Sequence, residues 1–274
     1  MQSVRPAKRR RTSGYISPPS GDEYAIDQQH SKDDSCTRLT RAINVLKVEA
    51  EALASIAALY ETDPTARTAL SSAVDAILTA QEQRGKLIIC GVGKSAYIGM
   101  KLQATCKSLG ISASFMHATE AAHGDLGDVK PWDVLLFVSF SGRTPELLNV
   151  LPHIPDATRT IAMSSHRDER ECQLLRGRKG AILLPTPIHE REENSFGVGA
   201  PTTSTTVALA VADMLALTTA DEIHAGKTGD VFKRNHPGGA IGLTHREAES
   251  LKSTMIDAAP VELLSPSTSD VSEG

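Results

Sequence analysis

Three titratable side chains, Glu146, Glu193 and His236, belong to the residue types that most often move protons in enzymes. Each lies in or beside a segment rich in glycine or hydroxyl residues, where a ligand can approach the backbone closely. General acid–base catalysis on a bound substrate is the chemistry that these types favour. The alternatives are structural, because a glutamate in a helix's first turn stabilises the helix dipole and a histidine followed by Pro-Gly-Gly suits a turn.

A glycine turn with a lysine follows a short apolar run in the segment 87–95, which reads LIICGVGKS. The apolar run predicts a buried parallel strand, and glycines after it let backbone amides approach an anion at the start of the next helix. A nucleotide P-loop would need glycine at Ile88, and a dinucleotide fingerprint would need glycine at Ala96, so neither motif fits. We therefore predict a phosphate site here, with an ordinary tight turn as the alternative.

Two clusters of hydroxyl residues, 139–144 and 202–206, precede helical patterns. Hydroxyls combined with the unpaired amides of a helix N-terminus suit a phosphate monoester. Helix capping alone would explain the same residues. The clusters therefore support a phosphate site without establishing one.

Metal and redox chemistry have weaker support in the sequence. His123 next to Asp125 suggests a metal site, with His117 and His236 as further candidate ligands, but the spacing defines no third ligand. The cysteines are far apart and have no CxxC spacing: Cys36, Cys90, Cys106 and Cys172. We expect no cofactor, buried inert thiols at Cys90 and Cys106, and a reducing, cytoplasmic environment.

The elements that would position these residues alternate along the chain. Apolar spacing predicts two initial helices, which could pack or mediate oligomerisation, and then strands in turn with helices. The predicted helices span 39–60, 64–83, 96–109, 145–151 and 202–217, and the strands span 87–90, 112–117, 134–138, 160–163 and 181–184. This order predicts an α/β fold with a five-stranded parallel sheet between helices, and ligands in such folds bind outside the carboxyl ends of the strands.

Composition bounds the class of protein. The 274 residues are 40% hydrophobic, with a net charge of −4, which favours neither nucleic-acid nor membrane binding. We predict no apolar run near the roughly 20 residues of a membrane helix, no secretory signal, a disordered basic tail over 1–36 and a flexible tail over 244–274. The run Lys8-Arg9-Arg10-Arg11 is a candidate nuclear localisation signal, with a solvated charge run as the alternative.

Five motifs in order resemble one family. They are GVGKS at 91–95, HGDLG at 123–127, SFSGRTPE at 139–146, APTTSTT at 200–206 and HPGGAIG at 236–242. Together they resemble the sugar isomerase (SIS) domain of the arabinose-5-phosphate isomerases, over about residues 39–243. The resemblance implies a flavodoxin-like SIS fold over 37–243 and interconversion of D-arabinose 5-phosphate and D-ribulose 5-phosphate through an enediol, without a cofactor. It also implies a homotetramer whose sites draw residues from neighbouring subunits.

The resemblance assigns roles residue by residue. It places the catalytic group at Lys94, Glu146, Glu193 and His236. Our hypothesis is that Glu193 and His236 share the proton transfers while Glu146 positions the substrate hydroxyls, with Glu146 as the alternative base. Phosphate-binding hydroxyls fall at Ser139, Ser141, Thr144 and Ser204. The remaining predicted substrate contacts are Gly91, Gly93, Ser95, His123 and Thr202. His123 also matches the family histidine near which inhibitory zinc binds.

Three departures from the family pattern qualify the assignment. Arg143 replaces the usual glutamate, Phe140 fills a position that is often polar, and the segment 166–187 is longer and more basic. Long family members carry two CBS regulatory modules after this domain, and we expect such regulation to be absent here. The alternative functions are a sugar-phosphate sensor that regulates a partner and an isomerase of another sugar phosphate, because the fold alone does not distinguish them.

Overall fold

Five short apolar segments form the sheet in the computed structural model, which describes residues 21–237 and the side chains from residue 36 onward. Neighbouring strands are all parallel, in the order β2-β1-β3-β4-β5. The predicted fold class is confirmed. The strands are β1 (Leu87–Gly91), β2 (Ala113–His117), β3 (Val134–Val138), β4 (Arg159–Ser164) and β5 (Ile182–Pro185).

The helices connect these strands and cover both faces of the sheet. They are α1 (Gly21–Thr62), α2 (Pro64–Glu82), α3 (Lys94–Ser108), α4 (Ala118–Ala121), α5 (Pro145–Val150), α6 (Glu192–Phe196), α7 (Thr203–His224) and α8 (Thr228–Asn235). Asp63 stops α1 from continuing into α2, because its carboxylate accepts from the amides of Thr65 and Ala66 at 2.8 and 3.1 Å while Pro64 takes the first helical position.

Alternate residues of each strand build two apolar layers, as side chains in a strand point to opposite faces. Leu87 and Ile89 of β1 pack with the layer formed by α2, α3 and α7, whereas Ile88 and Cys90 pack with the layer formed by α4 and α5. Both faces of the sheet are therefore covered, which explains why the strands are continuous apolar runs.

Helix α7 is long and apolar enough to cross a membrane by length and composition, which differs from the prediction that no such run exists. More than half of its apolar window is buried inside the protein. It packs against α2 and α3 in the core, and ten of its residues are buried. This is the pattern of a core helix in an α/β protein.

The chain divides into two units at Val48. Helix α1 begins at Gly21, within the segment 1–36 that the sequence predicts as a tail, and residues 1–20 lie outside the described residues. In the first unit the apolar side chains of Leu39, Ile43 and Leu46 are exposed. The basic run at 8–11 and the predicted tail at 244–274 lie outside the described residues.

The buried cysteines lie in the core of the second unit, where Cys90 and Cys106 are almost inaccessible. Burial raises the pKa of each of these two thiols to about 12. Both thiols are therefore protonated at neutral pH and do not act as nucleophiles.

Candidate active site

A cavity of about 870 Å³ lies at the carboxyl ends of β1, β3, β4 and β5. This is the edge of the sheet at which the loops were predicted to meet. The polar and charged residues on its wall are Lys94, Ser95, Ser141, Arg143, Ser165, His166, Glu171, Gln173, Thr186, Arg191, Glu192, Glu193, Ser204 and Thr205.

The glycine turn brings Lys94 and Ser95 to this cavity at the first turn of α3. A Cβ atom on Gly91 would lie 2.9 Å from the carbonyl oxygen of Ser95, so only glycine lets the strand end this close to the helix. Gly93 has φ 56° and ψ −132°, a conformation that is essentially restricted to glycine. Among the described residues the Lys94 ammonium has no ion pair or hydrogen bond, so its charge is available to a ligand.

The loop after β3 presents Ser141 to the cavity, whereas its other two hydroxyl residues form a hydrogen bond with each other. Ser139 is only 2% exposed, and its hydroxyl lies 2.8 Å from that of Thr144 across the loop. Neither Ser139 nor Thr144 is on the cavity wall. Of the three hydroxyls predicted here to bind phosphate, Ser141 is placed to contact a ligand, and the other two shape the loop.

Gly142 makes the tight turn in this loop, with φ +60°. A Cβ atom there would lie 2.9 to 3.0 Å from His166, Cys172 and Ser164. We expect Gly142→Ala to lower the free energy of unfolding by about 2 to 4 kcal/mol, from backbone strain and overlap together. Urea denaturation would measure the change.

Gly177→Ala is the control, because Gly177 has φ +75° but no atom within 4 Å of an added Cβ. It should cost only the backbone strain, about 1 to 2 kcal/mol. Equal losses of unfolding free energy in the two variants would contradict the close contacts around Gly142.

Two adjacent carboxylates on the cavity wall differ sharply in environment. Glu192 is only 8% exposed, and its Oε1 accepts from the amides of Thr202 and Ser204 at 2.7 and 3.0 Å and from the Ser204 hydroxyl at 2.8 Å. The Glu193 side chain is half exposed, with Oε2 3.5 Å from Nε of Arg191. The structure thus places a buried, anchored carboxylate beside the one that the sequence singled out.

The other predicted proton-transfer residues lie away from the cavity of this chain. Glu146 is exposed in the first turn of α5 and does not line the wall. His236 packs at the far end of α3, where its Nε2 is 3.2 Å from Ser108 Oγ and its ring stacks on Phe232. Since α3 has 15 residues rising about 1.5 Å each, about 20 Å separates its two ends. One chain therefore does not bring His236 to Lys94.

The remaining residues predicted to contact the substrate also divide into those on the cavity wall and those away from it. Ser204 lines the wall, whereas Thr202 contributes its amide to Glu192 and buries an unpaired hydroxyl. His123 is exposed on a turn away from the cavity. Within residues 36–237 no three His, Cys, Asp or Glu side chains cluster in a way that could hold a metal ion, so His123 has no companion ligands there.

Sequence reasoning assigned no role to Glu192 or His166, although both lie on the cavity wall. The sequence shows that Glu192 and Glu193 are adjacent, but it does not tell which of the two carboxylates is buried against the cavity wall. His166 falls in a segment with no regular period, so its place depends on how that segment folds back on the sheet.

The fold and cavity define an α/β protein with a cavity of ligand size at the carboxyl edge of a parallel sheet. The chain belongs to the SIS domain family, whose model matches residues 81–218.

Named relatives share this domain. The Escherichia coli arabinose 5-phosphate isomerase KpsF is 37% identical over 58% of this chain and 46% of its own length. KdsD, the arabinose 5-phosphate isomerase of Yersinia pestis, is 36% identical over 72% of this chain and 55% of its own. The chain thus spans about half the length of these relatives. A solved structure of a protein from E. coli CFT073 in complex with arabinose 5-phosphate is 30% identical, with a TM-score of 0.57, covering 71% of this chain and 96% of that one.

Proposed function

We propose that this protein is a sugar-phosphate isomerase that interconverts D-arabinose 5-phosphate and D-ribulose 5-phosphate. The observation that carries the proposal is the anchored Glu192 carboxylate on the same cavity wall as the unpaired Lys94 ammonium. Relatives named as arabinose 5-phosphate isomerases support the particular substrate pair.

Aldose–ketose isomerisation needs a base and a positive charge. A base removes the C2 proton of the open-chain aldose, and the enediolate that results is reprotonated at C1. In this cavity Oε1 of Glu192 is occupied by three donors, which leaves Oε2 as the atom that takes the proton. Lys94 then stabilises the negative charge that develops on the enediolate oxygen. We infer that Glu192 is the base, with Glu193 as the alternative.

The hydrogen bonding of Ser204 indicates which end of a bound sugar phosphate lies next to it. Its hydroxyl proton is donated to Glu192, so toward a ligand Ser204 can only accept a hydrogen bond. A phosphate dianion offers acceptors, whereas a sugar hydroxyl offers a donor. We therefore propose that Ser204 binds the sugar end and Ser141 the phosphate end, which revises the expectation that Ser204 binds phosphate.

His236 and Glu146 remain candidate catalytic residues only if a second copy of the chain supplies them to this cavity. His236 sits about 20 Å from Lys94 along α3, a length that a rigid helix does not change. We propose that the active form is an oligomer in which another subunit brings such residues to the cavity, in keeping with the predicted tetramer.

The test is incubation with D-ribulose 5-phosphate in deuterated water, with a chelator present, followed by proton NMR. We expect arabinose 5-phosphate that carries deuterium at C2, because the base exchanges its proton with solvent at the enediol stage. Unphosphorylated D-ribulose is the control and should not react. A thermal shift with the sugar phosphate but no turnover would instead favour a sensor.

A further inference from the structure

Three consecutive carbonyl groups in the loop after β3 point toward the segment that follows β4. The Phe140 oxygen accepts from the hydroxyls of Ser164 and Ser165 at 3.1 and 2.7 Å and from the Ser165 amide at 3.0 Å. The Gly142 oxygen accepts from the Leu174 amide at 3.2 Å. Between them, the Ser141 oxygen is bound by the His166 ring at 3.0 Å. These bonds engage the carbonyl oxygens, which would otherwise repel an anion in the cavity.

His166 contacts the central one of these carbonyls and also contacts a carboxylate. Its Nε2 faces the Ser141 carbonyl oxygen, and its Nδ1 is 3.3 Å from Oε2 of Glu171. Contacts at both ring nitrogens fix the orientation of the imidazole against the backbone of Ser141. The geometry therefore places the ring directly behind Ser141.

Arg143 supplies a cation on the same loop as Ser141. It lines the cavity, and its guanidinium has no ion pair or hydrogen bond among the residues that the structure describes. The carboxylates on the wall are already engaged: Glu171 with His166, Glu193 with Arg191 and Glu192 with α7. Lys94 and Arg143 are thus the two cations on this wall that a ligand can neutralise.

We propose that Arg143 binds the phosphate of the ligand directly and that His166 is a positioning residue that holds Ser141 toward the same phosphate. The planar guanidinium fork matches two phosphate oxygens, which a lysine ammonium does not. Arg143, Ser141 and His166 form the phosphate arm of the cavity, which selects a dianionic phosphate over a neutral sugar. This inference rests on the proposed function and specifies its phosphate end.

Kinetics of Arg143 variants test the direct contact. In Arg143→Gln we expect KM for ribulose 5-phosphate to rise about tenfold to a hundredfold, as for loss of a charge-assisted hydrogen-bond pair, with kcat within about threefold. Arg143→Lys should recover part of the loss. Arg176→Gln is the matched control, since Arg176 is an exposed arginine of the neighbouring segment that is not on the wall, and it should leave KM unchanged.

His166 is tested by the contrast between two variants. His166→Gln keeps an N–H group that can reach the Ser141 oxygen, whereas His166→Ala does not. A positioning role predicts a raised KM in His166→Ala and a partial rescue in His166→Gln at equal kcat. Equal KM values in the wild type and both variants would overturn the role of His166, and an unchanged KM in Arg143→Gln would overturn that of Arg143.

Calorimetric titration with inorganic phosphate separates this inference from the proposed function. Phosphate binding by the wild type that is lost in Arg143→Gln supports the phosphate arm even where no isomerisation is found. Turnover by the wild type with undiminished phosphate binding in Arg143→Gln overturns the phosphate arm and leaves the isomerase proposal standing. Absence of phosphate binding by the wild type overturns the phosphate arm.

Discussion

Glu192→Gln should reduce kcat for ribulose 5-phosphate by about a hundredfold to ten-thousandfold, the usual contribution of a general base. The amide oxygen of glutamine can still accept from the Thr202 and Ser204 amides and the Ser204 hydroxyl, so the loop geometry should survive. The substitution replaces Oε2, the carboxylate atom that takes the C2 proton, with an amide group that cannot accept it. Steady-state kinetics together with C2 deuterium exchange would measure the loss.

Glu193→Gln is the matched control for this change, because it removes the same charge from the neighbouring residue. We expect a much smaller effect, since the Glu193 side chain is half exposed and paired with Arg191. The reverse pattern, with exchange lost in Glu193→Gln and kept in Glu192→Gln, would make Glu193 the base.

Lys94→Met should lower kcat by about a hundredfold to a thousandfold, the range found when one preorganised donor to a developing oxyanion is removed. Methionine keeps the length and apolar stem of lysine without its charge, so the first turn of α3 should remain intact. Lys94→Arg should retain part of the activity. The comparison is best made on kcat at saturating substrate, which separates transition-state stabilisation from binding.

Lys101→Met provides the reference for Lys94→Met. Lys101 lies two turns further along α3, is partly exposed and pairs with Asp213 of α7, away from the cavity. A surface ion pair of this kind contributes little to stability, so near wild-type activity is expected. Similar losses at Lys94 and Lys101 would point to damage to α3 rather than to lost catalysis.

The sheet could be predicted from the sequence because its strands are buried on both faces. β3 was placed at 134–138, as observed, since every one of its residues is apolar and buried. The end of α7 was placed at Leu217 instead of His224, because Thr218, Thr219 and Asp221 interrupt the apolar pattern, although the Thr219 hydroxyl bonds to the Leu215 carbonyl inside the helix. α8 was missed, since none of its residues is buried.

The site was predictable only where it follows directly from strand ends. Lys94 and Ser141 sit just past β1 and β3, and in a parallel sheet those ends share one edge. The inward turn of Glu192 instead depends on the amides at the start of α7. Likewise, the sequence does not say at which end of α3 His236 docks, because that depends on tertiary contacts with Ser108 and Phe232.

The bonds between the loops after β3 and β4 have a consequence for entropy. Fixing a backbone residue costs roughly 1 to 2 kcal/mol, and three anchored carbonyls hold the segment 140–142 in place before any ligand arrives. That ordering cost is met when the chain folds. A ligand entering the cavity meets a loop already in its bound conformation, so more of the energy of its contacts remains as affinity.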